Sequence, residues 1–371
     1  ASGLPVLGGN RITLLDGGDQ AFGAMLHAIE SARRSIALCT YIFYPDELGL
    51  RFVQALSQAK SRGVEVRVLI DDLGARYGMS SVLWRLDAEA IPRATFIPTL
   101  APGWLPYFNL RNHRKILVVD GHIGFTGGIN IDGSYLTSPS RKHSAQDLHF
   151  QLEGPVVASL MQTFAEDWLF TQGENLEGDR WFPKLESQGD VFARGRPDGP
   201  DENIDQLYSQ YLGAAACART SLTILTPYFL PSTSLTDGLR LCALRGTKVE
   251  ILVPEFNNHK LVQWASTFTL RTMLEAGARV WLTPPPFDHS KVLIVDDLWA
   301  LIGSANWDPR SFRLNFEFCV ECIGDDLLEN LRSVIDRKRS ASRAMTLEQI
   351  DQSPLPIRLR DGAARLLSPY I

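Results

Sequence analysis

Apolar positions along this chain follow two alternating rhythms. A segment with apolar residues every three or four positions (DQAFGAMLHAIESARRS, 19–35) runs into a short, β-rich apolar stretch (IALCTYIFY, 36–44). A second helical period ends at Arg62-Gly63, and the strand-like run VEVRVLID follows over 64–71. The same succession returns later as IDQLYSQYLGAAACARTS (204–221), LTILTPYF (222–229) and VEILVP (249–254). Helical and strand periods of these lengths, taken in turn, predict α/β units built on a mostly parallel or mixed sheet flanked by helices. ILVVD (116–120) and VLIVD (292–296) are continuous apolar runs, which strands buried on both faces show. PVVASLMQTFAEDWLF (155–170) and LLENLRSVIDRKR (327–339) predict a closing helix for each set.

The return is a duplication. ARRSIALCT (32–40) matches ARTSLTILT (218–226), RGVEVRVLID (62–71) matches RGTKVEILVP (245–254), and HRKILVVDGHIGFTGGIN (113–130) matches HSKVLIVDDLWALIGSAN (289–306). The blocks keep their order and their offset drifts slowly, from 186 through 183 to 176, as loop insertions in a repeated domain produce. The predicted organisation is an N-terminal domain over 1–172, a Gly-, Pro- and acid-rich linker over 173–202, and a C-terminal domain over 203–371.

A length of 371 residues suits two domains at about 150 residues each. Against 37 Lys and Arg stand 42 Asp and Glu, a net charge of −5. Nucleic acid is not expected as a partner, because phosphate neutralisation normally demands a basic surface. The cysteines (39, 217, 242, 319, 322) are odd in number and lie in apolar segments, which predicts free thiols. Cys319 and Cys322 fall three apart on a strand-like run and so face opposite ways, unsuited to sharing a metal. No apolar run reaches the length of a membrane span. The start at Ala1, without Met, reads as processed or trimmed, which leaves room for an upstream anchor or signal.

The chemistry lies in the third repeated block. His113, Lys115 and Asp120 recur as His289, Lys291 and Asp296, and each set is followed by a small-residue turn and an Asn, Asn130 in GGIN and Asn306 in GSAN. On a strand, residues i and i+2 share a face, so each His and its Lys address one spot. Ammonium and amide groups suit the non-bridging oxygens of a phosphodiester, and two imidazoles allow a nucleophile and a general acid. Asp120 and Asp296 belong to the same catalytic motif, but each ends its strand and reads as a strand-end or cap carboxylate. A single H-x-K would carry little weight; two copies at one spacing, in a chain with seven His, carry a great deal.

With both motifs in view, the sequence resembles the phospholipase D superfamily, whose hallmark is H-x-K-x4-D followed by G-[GS]-x-N, and within it the bacterial cardiolipin synthases. The resemblance runs over nearly the whole chain, through VLGGNRITLL, HRKILVVDG, FTGGIN, DLHFQLEGPVV, TPYFLP, GSANWDPRS, LNFE and the closing LSPYI. It implies a pseudo-two-fold pair of domains with one active site at their interface, no metal or other cofactor, and a covalent phosphohistidine. It implies His113 as nucleophile and His289 as acid, although equivalence of the copies leaves the order open. It implies phosphate binding by Lys115, Lys291, Asn130 and Asn306. An acidic residue orients each His in this family; Glu317 fits that place in the second half, and Asp147 is its shorter counterpart in the first. His149, close by, reads as structural. The approach to the second motif, TPPPFDHSK, departs from the family in carrying Asp288, which puts the substrate channel on that side in question.

The implied activity is phosphatidyl transfer that makes cardiolipin from two phosphatidylglycerols with release of glycerol, at the bacterial cell membrane. The alternative is a hydrolase of the same superfamily that releases phosphatidic acid, and after it a phosphodiesterase or nuclease. A catalytically dead binding module would have lost part of the paired motif, and none is lost. Two further segments point to a lipid surface. Trp104, Leu105, Tyr107 and Phe108 lie in a Pro- and Gly-broken stretch just before His113, suited to a membrane-contacting lip or to a lining of the cleft. The tail LPIRLRDGAARLLSPYI, preceded by Arg337, Lys338, Arg339 and Arg343, mixes basic and apolar residues, as segments lying on anionic lipid do and as helices docked on their own domain also do.

Overall fold

The computed structural model describes residues 5–76, 81–98, 107, 109–137, 144–201 and 203–367. Each half contributes seven strands to one mixed sheet in mirrored order. In the first half Arg93–Phe96, Glu65–Asp71 and Ser35–Thr40 run parallel, and Ile116–Val119, Ile123–Gly127, Leu148–Glu153 and Leu7–Asp16 continue antiparallel. In the second half Arg279–Thr283, Lys248–Pro254 and Ser221–Leu225 run parallel, followed antiparallel by Val292–Val295, Trp299–Gly303, Asn315–Ile323 and Val191–Asp198. The sheet becomes continuous where Leu7–Asp16 pairs antiparallel with Val191–Asp198. The stretch read as a linker therefore contains a central strand, and Arg343–Met345 adds an edge beside Arg279–Thr283.

The two apolar runs serve two cores at once. Ile116 and Val118, with Val292 and Ile294, enter a core shared by both halves and capped by the closing helices Val157–Gln172 and Asp325–Ala341. Leu117 and Val119 face the first half's own core under the helices Gly18–Ser31 and Glu47–Ser61, while Leu293 and Val295 face the second half's. Successive strand residues point to opposite faces, so a strand with a core on each side must be apolar throughout. Each such side chain contributes about 1.5–3 kcal/mol on burial, which fixes the ends of these strands where the motif residues sit. All five cysteines are free, and only Cys217 is exposed.

Candidate active site

Two short ladders bring the halves together. Arg111–Asn112 pairs in parallel with Asn315–Phe316, and Phe287–Asp288 pairs in parallel with Ala145–Gln146. Each ladder delivers a histidine: the His113 N–H donates to Phe316 O at 2.8 Å, and the His289 N–H to Gln146 O at 2.8 Å. The H-x-K residues thus lie just before the buried strands rather than on them, held by backbone from the other half.

The carboxylates cross over as well. Sequence comparison set Glu317 in the second half and Asp147 in the first, but each serves the opposite histidine. His113 Nδ1 lies 2.9 and 3.1 Å from the Glu317 oxygens, and His289 Nδ1 lies 2.8 Å from Asp147 Oδ2. A carboxylate at Nδ1 requires the proton there and leaves the Nε2 lone pair to act. Glu317 also accepts from Ser304 Oγ at 2.5 Å, Ser311 Oγ at 2.8 Å and Asn315 Nδ2 at 3.1 Å. Asp147 has Lys291 Nζ at 3.6 Å and accepts from Leu148 N–H at 2.7 Å.

Both histidines, both asparagines and a tyrosine from each half, Tyr41 and Tyr228, line one cavity of about 1090 Å³. Lys115 and Lys291 are buried outside that described lining, and each turns its ammonium to the carbonyl of its own histidine. Burial lowers the His113 pKa against the pull of Glu317, and burial together with Lys291 brings His289 down to about 4. Burial likewise draws Lys115 down to about 7 although Glu317 opposes it, and lowers Lys291. Burial alone would raise Glu317 and Asp147, but His113 and Lys115 outweigh it at the first, Lys291 and His289 at the second, and both carboxylates stay below their ordinary range. The resting site thus presents two neutral imidazoles over two carboxylates, with ammonium groups behind. That arrangement can attack phosphorus, protonate a leaving alkoxide and offset anionic charge.

The family model described as "Cardiolipin synthase, PLD-like domain" matches residues 25–168 and again 211–339. The chain belongs to this family. It is 32% identical to cardiolipin synthase 2 of Staphylococcus epidermidis, covering 98% of this chain and 75% of that one. It is 34% identical to the major cardiolipin synthase of Bacillus subtilis, covering 98% and 76%. The fold resembles that of the phosphatidylserine synthase of Haemophilus influenzae, with a TM-score of 0.78 and 18% identity over 100% of this chain and 98% of that one.

Other residues singled out in the sequence have surroundings of their own. Asp120 and Asp296 take no part in the cavity: Asp120 accepts from the backbone N–H groups of Arg33, Arg34 and Ser35, and Asp296 from those of Arg219, Thr220 and Ser221. Both adopt left-handed backbone, at φ 53° and 54°. They are braces at the strand ends, so their place in the motif is structural. Asp288 does not acidify the channel, because it is buried in an ion pair with Lys338 at 2.7 Å and also accepts from Ser290. The basic run before the tail is neutralised likewise: Arg337 pairs with Asp16, Arg339 with Glu250 and Arg343 with Glu255. Trp104, Leu105 and Phe108 lie outside the described residues, while Tyr107 is 49% exposed. His149 is buried, its Nδ1 unpartnered and its pKa drawn by burial to about 4, as suits a structural residue.

Sequence reading missed the rings beside the histidines. Tyr41 packs edge-on to His113 at 5.2 Å, Tyr228 edge-on to His289 at 6.1 Å, and Tyr135 Oη comes within 3.3 Å of His289 Nδ1. Tyr41 and Tyr228 follow matched strands, but Thr40 and Thr226 each cap the carbonyl two residues on, of Ile42 and of Tyr228. The two tyrosines are therefore one register apart, and the repeat alignment conceals them.

Proposed function

We propose that the protein is a phosphatidyltransferase that joins two phosphatidylglycerols into cardiolipin. The observation that carries this reading is the pair of histidines facing one cavity, each braced at Nδ1 by a carboxylate from the other half, in a chain of this family. His113 Nε2 attacks the phosphorus of the first lipid. The bond from phosphorus to the glycerol oxygen breaks, and glycerol departs with a proton from His289. The hydroxyl of the second lipid then gives its proton to His289 and attacks the phosphorus, and the bond to His113 breaks. The bidentate Glu317 makes His113 the more basic nucleophile and offsets the charge of the phosphoimidazolium. His289 is unprotonated at rest, so it takes up its proton once the anionic phosphodiester is seated, since a nearby negative charge favours the imidazolium.

Lys115, Lys291, Asn130 and Asn306 are assigned to the phosphate oxygens, and a lipid surface is the proposed partner. Among the described residues no helix is long and apolar enough to cross a membrane. The tail helix Leu355–Leu366 instead turns Leu355, Leu359 and Leu366 outward, 65%, 64% and 79% exposed. It docks through Arg360, stacked 4.5 Å over Trp264, and Arg365, which donates to Thr269 Oγ1 at 2.8 Å. Its support, the helix Lys260–Glu275, supplies Lys260, Leu261 and Val262 to the cavity rim.

Incubation with phosphatidylglycerol vesicles and mass analysis of the lipids tests the reaction. Cardiolipin with free glycerol is the expected product; phosphatidic acid without cardiolipin would mean hydrolysis.

A further inference from the structure

The two ladders beside the histidines are alike in backbone and opposite in character. Arg111 stands two residues before His113 on one, and Phe287 two residues before His289 on the other; both line the cavity. Their ladder partners are Asn315 and Ala145. Arg310 joins the wall on the Arg111 side, held by a hydrogen bond to Asn109 O at 3.1 Å. Arg111 is only 5% exposed, and its Nη1 is buried with no hydrogen-bond partner; the neighbouring Asn315 Oδ1 is also unpartnered. Asp71 feels the Arg111 charge, but its oxygens accept from the N–H groups of Leu73, Gly74 and Asn112.

A buried guanidinium nitrogen without an acceptor is costly, and its place on a cavity wall suggests an acceptor that arrives with the substrate. The ammonium groups behind the histidines are assigned to the phosphodiester that lies between the imidazoles. A reaction between two phospholipids brings two phosphodiesters, and only one of them sits between the imidazoles.

We propose that Arg111, flanked by Arg310, binds the phosphodiester of the second lipid, whose hydroxyl is the acceptor. This assignment rests on the transferase reading above. A strand rise of about 3.3 Å per residue sets Arg111 some 6.6 Å along the backbone from His113, comparable with the separation of two phosphates joined through one glycerol. Among the described cavity-lining residues the remaining cation, Lys260, is exposed and none stands on the Phe287 ladder, so the acceptor approaches from the Arg111 side, and anionic lipid alcohols are preferred over neutral ones.

The test compares two reactions in phosphatidylglycerol vesicles: cardiolipin formation, and exchange of labelled glycerol into phosphatidylglycerol. Exchange uses the same donor and histidines with an uncharged acceptor. In Arg111→Gln the ratio of cardiolipin to exchange should fall about tenfold or more, as for loss of a charge-assisted contact. It should fall less in Arg310→Gln and recover in Arg111→Lys. An unchanged ratio in Arg111→Gln overturns the assignment. Should that variant fail to fold, Arg310→Gln decides, and an unchanged ratio there overturns it too. A wild-type protein that exchanges glycerol or releases phosphatidic acid yet makes no cardiolipin would refute the transferase reading itself, before any variant is made.

Discussion

The carboxylates behind the two histidines differ by one methylene, and the surroundings of each are cut to match. Beside the shorter Asp147 the turn carries Gly128, where a Cβ would come within 2.1 Å of the carboxylate. Beside the longer Glu317 the equivalent turn position is Ser304, whose hydroxyl donates to it. Glu317 therefore sits in a bracket of three side-chain donors besides His113, while Asp147 is shared between His289 and Lys291. Two copies of one motif have kept their histidines and diverged around them. Glu317 is set to offset charge that develops on His113, while burial and Lys291 hold His289 neutral against the pull of Asp147.

Removing the histidines gives the largest expected effect. His113→Ala and His289→Ala should each lower cardiolipin formation by about a thousandfold or more. A phosphatidyl donor with a good leaving group separates the roles, because such a group needs no proton. His289→Ala should regain the first step with that donor, seen as a burst of leaving group, and His113→Ala should not. The reverse pattern would exchange the assignments.

Next come the carboxylates. Glu317→Gln and Asp147→Asn should each cost on the order of a hundredfold, the upper end for residues that orient a reacting group. The turns sharpen the contrast: Gly128→Ser should be nearly as harmful as Asp147→Asn, whereas Ser304→Gly removes one hydrogen bond and should cost about tenfold at most. Equal losses from the two turn substitutions would show that the carboxylates are not held differently.

The pH profile reports the same residues. His113 must be neutral to attack, and its depressed value places the acid limb of kcat/KM below the ordinary imidazole range. Lys115, at about 7, is charged below that pH and loses its charge above it, so phosphate binding should weaken on the alkaline side. Lys115→Arg, charged at all relevant pH, should abolish the alkaline limb even if the maximal rate drops. An alkaline limb that persists would assign it to another group.

Much of this was legible in the sequence, for identifiable reasons. The duplication and the paired motif are local features, and the apolar runs of ILVVD and VLIVD announce strands with a core on either side. The crossed carboxylates could not be read, because the pairings of Arg111 with Asn315 and of Phe287 with Ala145 join segments far apart in the chain. The strand at Val191–Asp198 hid in a polar stretch for a related reason: Arg194 and Arg196 look like linker residues until Glu321 on the neighbouring strand pairs with both. The sequence sets the charge of Asp288 at the substrate channel, since Lys338, its partner, lies on a distant helix.

A moderate effect is expected at the lipid surface, where only the second half carries the tail helix. Leu355, Leu359 and Leu366 replaced together by Ser should weaken binding to anionic vesicles by about tenfold, since the three partly buried leucines together are worth roughly 1–2 kcal/mol at an interface. Turnover of a short-chain, monomeric substrate should hold. Unchanged sedimentation would remove this face from the membrane reading.

The smallest effect should come from the strand-end braces, where the halves also agree. Asp120 and Asp296 each gather three backbone N–H groups from the segment that opens the neighbouring strand, and each occupies the same left-handed turn. Their work resembles that of a helix cap, which costs about 0.5–2 kcal/mol when lost. Asp120→Ala and Asp296→Ala should therefore lower the denaturation midpoint by similar amounts and leave turnover per folded molecule as it was. Three backbone N–H groups and the Thr220 hydroxyl hold Asp296 at about 2 even though burial pushes the other way. Because the folded-state value is depressed, this stabilisation is complete above about 4 and is lost as the pH falls through about 2. Denaturation of Asp296→Ala and wild type should accordingly converge in strong acid. A loss of turnover at neutral pH with an unchanged midpoint would return these two residues to the chemistry and break the division between brace and site.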